Sequence, residues 1–301
     1  MIRTIPLNNA LSKRYEQLGC ACSEPITLRN VLRVNTLKID EQELVQRLKT
    51  LKIRIEKIPF LDHGYFYDAP FSLASTTEYL LGYFYIQEAA SQLPVHALDI
   101  KPGMYILDMA ASPGSKTTQM AQCLENKGII IALDIDSRRL LSLRNNLERC
   151  GVTNTVLYKK DARFAFDLHM QFDRVLLDAP CTGNYVIEKE FFKIKNIPGI
   201  MERARIQKEL LKAAVKVLKK DGIFVYSTCS LEPEENELNI NWFLNKFPEM
   251  QLVETGIKIG DPGLTTIFKE KLDPSISKCR RLWPEKTGTQ GFFIAKLKKV
   301  K

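Results

Sequence analysis

The spacing of apolar positions divides the 301-residue chain into two parts. The first part mixes short patterns. Leu32-Arg33-Val34-Asn35 reads as a strand. Asp40 to Leu51 reads as a helix, with Asp40 as N-cap, Glu43 three residues later, and Leu44, Val45, Leu48 and Leu51 on one stripe. Ile53 to Ile58 alternates as a half-buried strand does. These elements predict a small α+β unit over residues 1–75. Tyr79 to Ala97 reads as a helical connector within residues 76–100.

From Gly103 the pattern becomes regular. Tyr105-Ile106-Leu107-Asp108, Ile129 to Asp134, Thr155 to Tyr158, Arg174 to Asp178 and Gly222 to Ser227 are apolar runs of strand length. Helical patterns follow at Ser115–Glu125, from Ser137 (a candidate cap) to Cys150, at Met201–Leu218 and from Pro233 to Phe247. Two further strands are expected near Leu252-Val253 and at Gly291–Leu297. Strands that are continuously apolar and alternate with helices predict an α/β fold, with a mostly parallel sheet covered on both faces. Residues 76–301 form this second unit.

Open parallel sheets bind ligands at the carboxyl ends of their strands. Four of these strands end on or just before a carboxylate: Asp108, Asp134, Asp161 and Asp178. A single strand-end Asp is usually a helix cap; four in succession mark a crevice. Between Asp108 and the next helix lies Met109-Ala110-Ala111-Ser112-Pro113-Gly114-Ser115-Lys116-Thr117. This is neither a Walker A loop nor a G-x-G-x-x-G fingerprint. It is a turn of small residues at a helix N-terminus, where backbone N–H groups approach a ligand closely. Asp134 is placed to accept ribose hydroxyls. A ribose-bearing ligand with no heavy phosphate requirement fits S-adenosylmethionine better than NAD or ATP.

Two cysteines follow strand ends, in Asp178-Ala179-Pro180-Cys181-Thr182-Gly183 and in Ser227-Thr228-Cys229-Ser230. A lone cysteine is ordinarily a small buried hydrophobe. Two on neighbouring strand ends can share a cleft. A thiolate there can add to carbon 6 of a pyrimidine and make carbon 5 nucleophilic toward a methyl donor. Pro233 offers a helix N-terminus to favour the thiolate, and Asp178 a proton donor for ring nitrogen 3. No Cys-x-x-Cys pair or histidine cluster suggests a metal, and Cys20-Ala21-Cys22 reads as incidental.

Together these motifs resemble the NOP/Sun (Fmu-type) RNA cytosine-5 methyltransferases. Gln87-Glu88-Ala89-Ala90-Ser91, Pro233-Glu234-Glu235-Asn236-Glu237 and Gly291 to Ala295 extend the match from about residue 30 to the end. The resemblance implies a Rossmann-like class I methyltransferase sheet of about seven strands, the last antiparallel, behind a small N-terminal RNA-binding unit. It implies that Ala110, Ala111, Ser112, Pro113, Gly114, Ser115 and Lys116 line an S-adenosylmethionine site. Asp134 and Arg139 would hold the ribose side, Asp161 the adenine, and Asp178 the methionine end and the target base. Cys229 would be the nucleophile and Cys181 would assist product release; a separate Cys229 motif favours RNA over DNA. Ser115 stands where the family usually has Gly, and Asn184-Tyr185 where it has Thr-Gly. The length leaves no room for a further RNA-binding module.

Charge fits this picture without deciding it. Lys and Arg number 44 against 35 Asp and Glu, a net charge of +9. Lys189, Lys193, Lys195, Arg203, Arg205, Lys208, Lys212 and Lys216 fall between the two cysteine motifs, with Phe191 and Phe192 among them as candidate stacking residues. RNA is the expected partner, tRNA ahead of rRNA, with no membrane and no metal. The first residues lack the apolar core of a signal peptide, and a cytoplasmic location is expected. A DNA methyltransferase and a non-catalytic RNA-binding assembly factor are the competing readings.

Overall fold

A computed structural model of the protein describes residues 10–20, 26–188 and 190–301. The expectations for the first nine residues, for Cys22 and for Lys189 lie outside the described residues. After helix α1 (Ala10–Gln17) comes a four-stranded antiparallel sheet. It consists of β1 (Asn30–Val34), β2 (Arg54–Lys57), β3 (Gly64–Asp68) and β4 (Phe84–Ile86), in the order β2-β3-β1-β4. Helix α2 (Glu41–Thr50) is capped by Asp40, whose carboxylate accepts the Gln42 and Glu43 N–H groups. Leu44 and Leu48 of α2 pack on Leu32 and Val34 of β1.

The alternation of β1 sends its other face toward the second unit. Val31 joins that unit's core. Arg33 is fully buried and donates to Gln87 Oε1, to the Ser115 carbonyl (2.7 Å) and to Thr118 Oγ1 (2.8 Å). Asn35 donates to the carbonyls of Gly82 and Cys150, both at 2.8 Å.

The expected helical connector is a correction. Residues 77–97 form a one-turn helix α3 (Thr77–Leu80), then β4, then helix α4 (Ala89–Ala97). β4 pairs with β1 through Phe84, Tyr85 and Ile86, so the N-terminal sheet closes well after Pro70. The segment is largely apolar and reads as helix, but Gly82 breaks it, and its strand exists only through a partner about 50 residues away in sequence.

The second sheet contains β5 (Tyr105–Asp108), β6 (Ile129–Asp134), β7 (Thr155–Lys159), β8 (Phe172–Asp178) and β9 (Leu218–Thr228), all parallel. Helices α5 (Ser115–Cys123), α6 (Ser137–Cys150), the one-turn α7 (Phe191–Ile194), α8 (Ile197–Val217) and α9 (Glu237–Lys246) intervene or follow. Beyond them lie β10 (Met250–Leu252), β11 (Asp261–Pro262), the small β12–β13 hairpin (Thr266–Ile267 with Glu270–Lys271), β14 (Arg280–Leu282), the one-turn α10 (Pro284–Thr287) and β15 (Phe292–Lys299). The order is β11-β14-β15-β9-β8-β5-β6-β7, with β10 also on β15. β15 is antiparallel to β9, as expected. The strand expected near Leu252 is present as β10, and the sheet has nine strands rather than about seven because β11 and β14 are too short to show a period.

Alternate residues of β5, β6, β8 and β9 feed cores on opposite faces. Leu107, Leu133, Leu177 and Tyr226 meet α8 and α9, whereas Ile106, Ile130, Leu176 and Val225 meet α4 and α5. Two helix starts differ from expectation. Asp136, not Ser137, caps α6. α9 begins at Glu237, so Pro233 lies outside it, in a turn whose carbonyl accepts Asn236 and Leu238 N–H.

Candidate active site

β6, β5, β8 and β9 lie side by side and end on Asp134, Asp108, Asp178 and Thr228. β5 sits where the chain order reverses, the place at which such sheets open a crevice. A cavity of about 560 Å3 lies there. Its walls include Ala110, Ser112, Asp134, Arg139, Asp161, Asp178, Cys181 and Cys229, so the structure brings most of the expected residues together.

Ala111, Pro113, Gly114, Ser115 and Lys116 do not line the cavity. Ala111 packs with Ala132, Leu143 and Leu147 in the core beneath it. Gly114 has φ of 107°, and a Cβ there would meet Leu143 Cδ1 at 2.8 Å, so only glycine lets the loop turn against α6. Asp108 is buried below the loop and accepts the Thr117 hydroxyl at 2.7 Å; burial raises its carboxyl to about 6.

On one side of the cavity, Asp134 is buried and accepts the Asp136 N–H at 2.9 Å. Arg139 reaches across from α6, with Nη2 2.8 Å from the Ser112 carbonyl and 3.6 Å from Asp134 Oδ2. The Ser112 hydroxyl is buried and has no hydrogen-bond partner among the described residues. Asp161 is paired with Arg163 through two guanidinium nitrogens, at 2.9 and 2.6 Å; these bonds hold its carboxyl below the usual range.

On the other side, Asp178 Oδ2 accepts from Lys116 Nζ at 2.6 Å and Oδ1 from Ser227 Oγ at 2.8 Å. The Sγ atoms of Cys181 and Cys229 are 3.3 Å apart, and both residues are partly exposed to the cavity. The contact with Cys229 and burial together push the Cys181 thiol well up. Asn184, which departs from the family pattern, is fully buried and donates to the Cys229 carbonyl at 2.8 Å.

Several partners of the site are not evident in sequence. Lys116 was expected at the cofactor, but its ammonium goes to Asp178. The only signal for that is the need of a strand-end carboxylate for a cation. Arg163, Lys160 and Ile187 also line the cavity. Glu235 lies in an apparently solvent-facing acidic run yet is fully buried.

Of the expected RNA rim, the two aromatic residues are corrected. Phe191 and Phe192 are buried; Phe192 packs on Tyr15 and Tyr185 and is closed to an incoming base. Lys193, Lys195 and Lys212 pair with Glu190, Glu188 and Glu209, and Lys208 lies over Trp242. Arg203 is exposed and reaches the cavity. Among the described residues, no group of three His, Cys, Asp or Glu side chains can hold a metal ion, and no helix is long and apolar enough to cross a membrane.

Comparison with known proteins follows the same division of the chain. Residues 95–298 match the model of the 16S rRNA methyltransferase RsmB/F family. Residues 6–89 match the N-terminal domain of 16S rRNA methyltransferase RsmF. The Ribosomal RNA small subunit methyltransferase F of Vibrio cholerae is 38% identical over 289 residues, covering 93% of this chain and 59% of that protein. The human 28S rRNA (cytosine(4447)-C(5))-methyltransferase is 40% identical over 91% of this chain and 34% of its own length. The chain therefore spans under two thirds of these relatives. A methyltransferase homolog from Pyrococcus horikoshii superposes with a TM-score of 0.84 at 44% identity, covering 91% of this chain and 87% of that one. NSun6 from Pyrococcus horikoshii, solved with SFG, superposes at 0.82 with 31% identity, over 92% of each chain. The fold is thus that of a Rossmann-like class I methyltransferase with a separate N-terminal domain, and the chain belongs to the RsmB/F family of RNA methyltransferases.

Proposed function

We propose that the protein is an S-adenosylmethionine-dependent methyltransferase that forms 5-methylcytosine in RNA, with Cys229 as the nucleophile. The observation that carries this reading is the contact of two strand-end thiols inside a cavity that also holds three strand-end carboxylates. The cavity suits the cofactor: it is large enough for a nucleoside, Asp134 is a buried acceptor at a strand end, and the Ser112 hydroxyl lacks a partner among the described residues. Asp134 and Arg139 would hold the ribose side, Asp161 the adenine once Arg163 gives way, and Ala110 and Ser112 the turn beside them. When bound, S-adenosylmethionine supplies an electrophilic methyl group.

The chain's own residues prepare the base. The Cys229 thiolate adds to carbon 6 of cytosine, and the electron pair of the 5,6 double bond makes carbon 5 nucleophilic. Asp178, fed by the Lys116 ammonium and the Ser227 hydroxyl, serves ring nitrogen 3, where charge develops. Cys181 keeps its proton and is placed to donate it to the Cys229 sulfur. After methylation, the carbon 5 proton passes to solvent water, the double bond re-forms, and the Cys229 sulfur leaves with the proton that Cys181 donates, Cys181 being reprotonated from solvent. The base must leave its stack to reach the cavity. The N-terminal unit is the second part of the RNA grip, and a cytoplasmic location belongs to the same reading.

Ribosomal RNA is the favoured class, since the Vibrio and human relatives carry that substrate in their names. The expectation of tRNA rests on resemblance alone. The test is a pair of variants assayed on matched RNA and DNA oligonucleotides. Cys229→Ser should abolish methylation, and Cys181→Ala should accumulate a covalent protein–RNA adduct on a denaturing gel. Full turnover by Cys229→Ser would refute the mechanism.

A further inference from the structure

The loops that carry Cys181 and Cys229 leave different strands, yet they converge on one internal carboxylate. Glu235 is fully buried. Its Oε1 accepts the Thr182 hydroxyl and, at 2.9 Å, the Ser230 hydroxyl. Its Oε2 accepts the Thr182 N–H at 3.1 Å and the Gln207 side-chain amide at 2.8 Å. Thr182 directly follows Cys181, and Ser230 directly follows Cys229. One carboxylate therefore grips the neighbour of each thiol.

The grip is itself held. Asn239 Nδ2 donates to Gln207 Oε1 at 2.9 Å, which turns the Gln207 amide toward Glu235. Gln207 also donates to the Pro180 carbonyl at 3.1 Å, immediately before Cys181. The Tyr226 hydroxyl donates to the Glu235 carbonyl at 2.5 Å. All of these donors are uncharged, so burial of the carboxylate is costly and raises its carboxyl above the ordinary range. Neutral or apolar packing would be less costly here, whereas a fully satisfied network specifies one geometry.

We propose that Glu235 is a positioning residue: by accepting from Thr182 and Ser230 at once, it fixes the separation of the Cys181 and Cys229 thiols. Its consequence for turnover rests on the function proposed above; its consequence for thiol spacing does not. Displacement of a reacting group by about 1 Å is enough to cost on the order of a hundredfold in rate.

The test uses Glu235→Gln, which replaces an acceptor by a donor that faces other donors, and Thr182→Val, which removes one hydroxyl bond at nearly constant shape. Thr182→Ser retains both bonds and is the conservative control. The first readout is independent of activity: the effective concentration of the Cys181–Cys229 disulfide in glutathione buffers, measured by peptide mass spectrometry. In that reaction the two thiols give two electrons and two protons to one oxidised glutathione, which leaves as two reduced molecules. Both perturbing variants should lower the effective concentration about tenfold or more, and Thr182→Ser should stay within about threefold of wild type. The second readout is methylation, in which kcat should fall about tenfold while KM for RNA stays within about threefold. Thr182→Val keeps the test decisive if Glu235→Gln does not fold. Disulfide equilibrium and kcat both within about threefold of wild type in the folded variants would overturn the proposal. A wild-type protein that methylates no cytosine, with the disulfide shift present, would instead refute the proposed function and leave the positioning role standing.

Discussion

Asp108 closes β5 beneath the small-residue loop and has almost no contact with solvent. Burial outweighs the hydrogen bond from Thr117 and lifts its carboxyl from 3.8 to about 6. Between these values the unfolded chain releases the proton and the folded chain keeps it. Stability therefore falls as pH rises through this window. The penalty is absent below the unfolded value and constant above the folded one. Two pH units at about 1.4 kcal/mol each amount to about 3 kcal/mol. Asp108→Asn keeps an acceptor for Thr117 and does not titrate. Urea unfolding of both proteins from about pH 3 to about pH 7 isolates the effect, because the other titrating groups largely cancel in the difference. That difference should move toward the variant by about 3 kcal/mol as pH rises. A difference that stays constant to within about 1 kcal/mol would show that the buried carboxyl is not held protonated.

The segment after Cys229 rests on a second buried group. Arg281 and Glu237 form a fully buried two-point ion pair, at 2.8 and 2.5 Å, and Arg281 also donates to the Leu231 carbonyl. Arg281→Met should destabilise the protein by about 3–5 kcal/mol in urea unfolding, and adding Glu237→Met should recover most of it, since the lone carboxylate is the costly species. Arg203→Ala should weaken RNA binding and reduce the slope of log affinity against log salt by about one, with kcat at saturating RNA changed less than about threefold. Loss of kcat at unchanged affinity would place Arg203 in the chemistry rather than in the RNA grip.

The centre of the sheet was legible because β5, β6, β8 and β9 are apolar runs with buried residues on both faces, and their strand-end residues carried the crevice with them. Asp134, Asp178, Cys181 and Cys229 needed only that geometry. What escaped depends on contacts between distant segments. Phe191 and Phe192 sit among lysines, which suggests an exposed rim; they are buried because Tyr15 of the N-terminal helix and Tyr185 pack around Phe192. Glu235 sits in a run of four polar or charged residues, Glu234 to Glu237, and nothing local announces that Glu235, Asn236 and Glu237 are all buried. Asn184 interrupts a family pattern, yet its amide does structural work on the Cys229 carbonyl. Lys116 belongs to the cofactor loop by position and to Asp178 by contact.

The Arg33 guanidinium spans from β1 of the N-terminal sheet to the Ser115 carbonyl and Thr118, at the start of the helix after the small-residue loop. Hinge opening at this junction would uncover a buried cation and break its bonds together, which opposes movement of one unit against the other. Under the proposed function, the work of deformation would then fall on the nucleic acid, whose target nucleotide must swing out to the paired thiols. Selection among cytosines then follows how easily each one unstacks, so loops and unpaired junctions should react ahead of duplex sites of the same sequence.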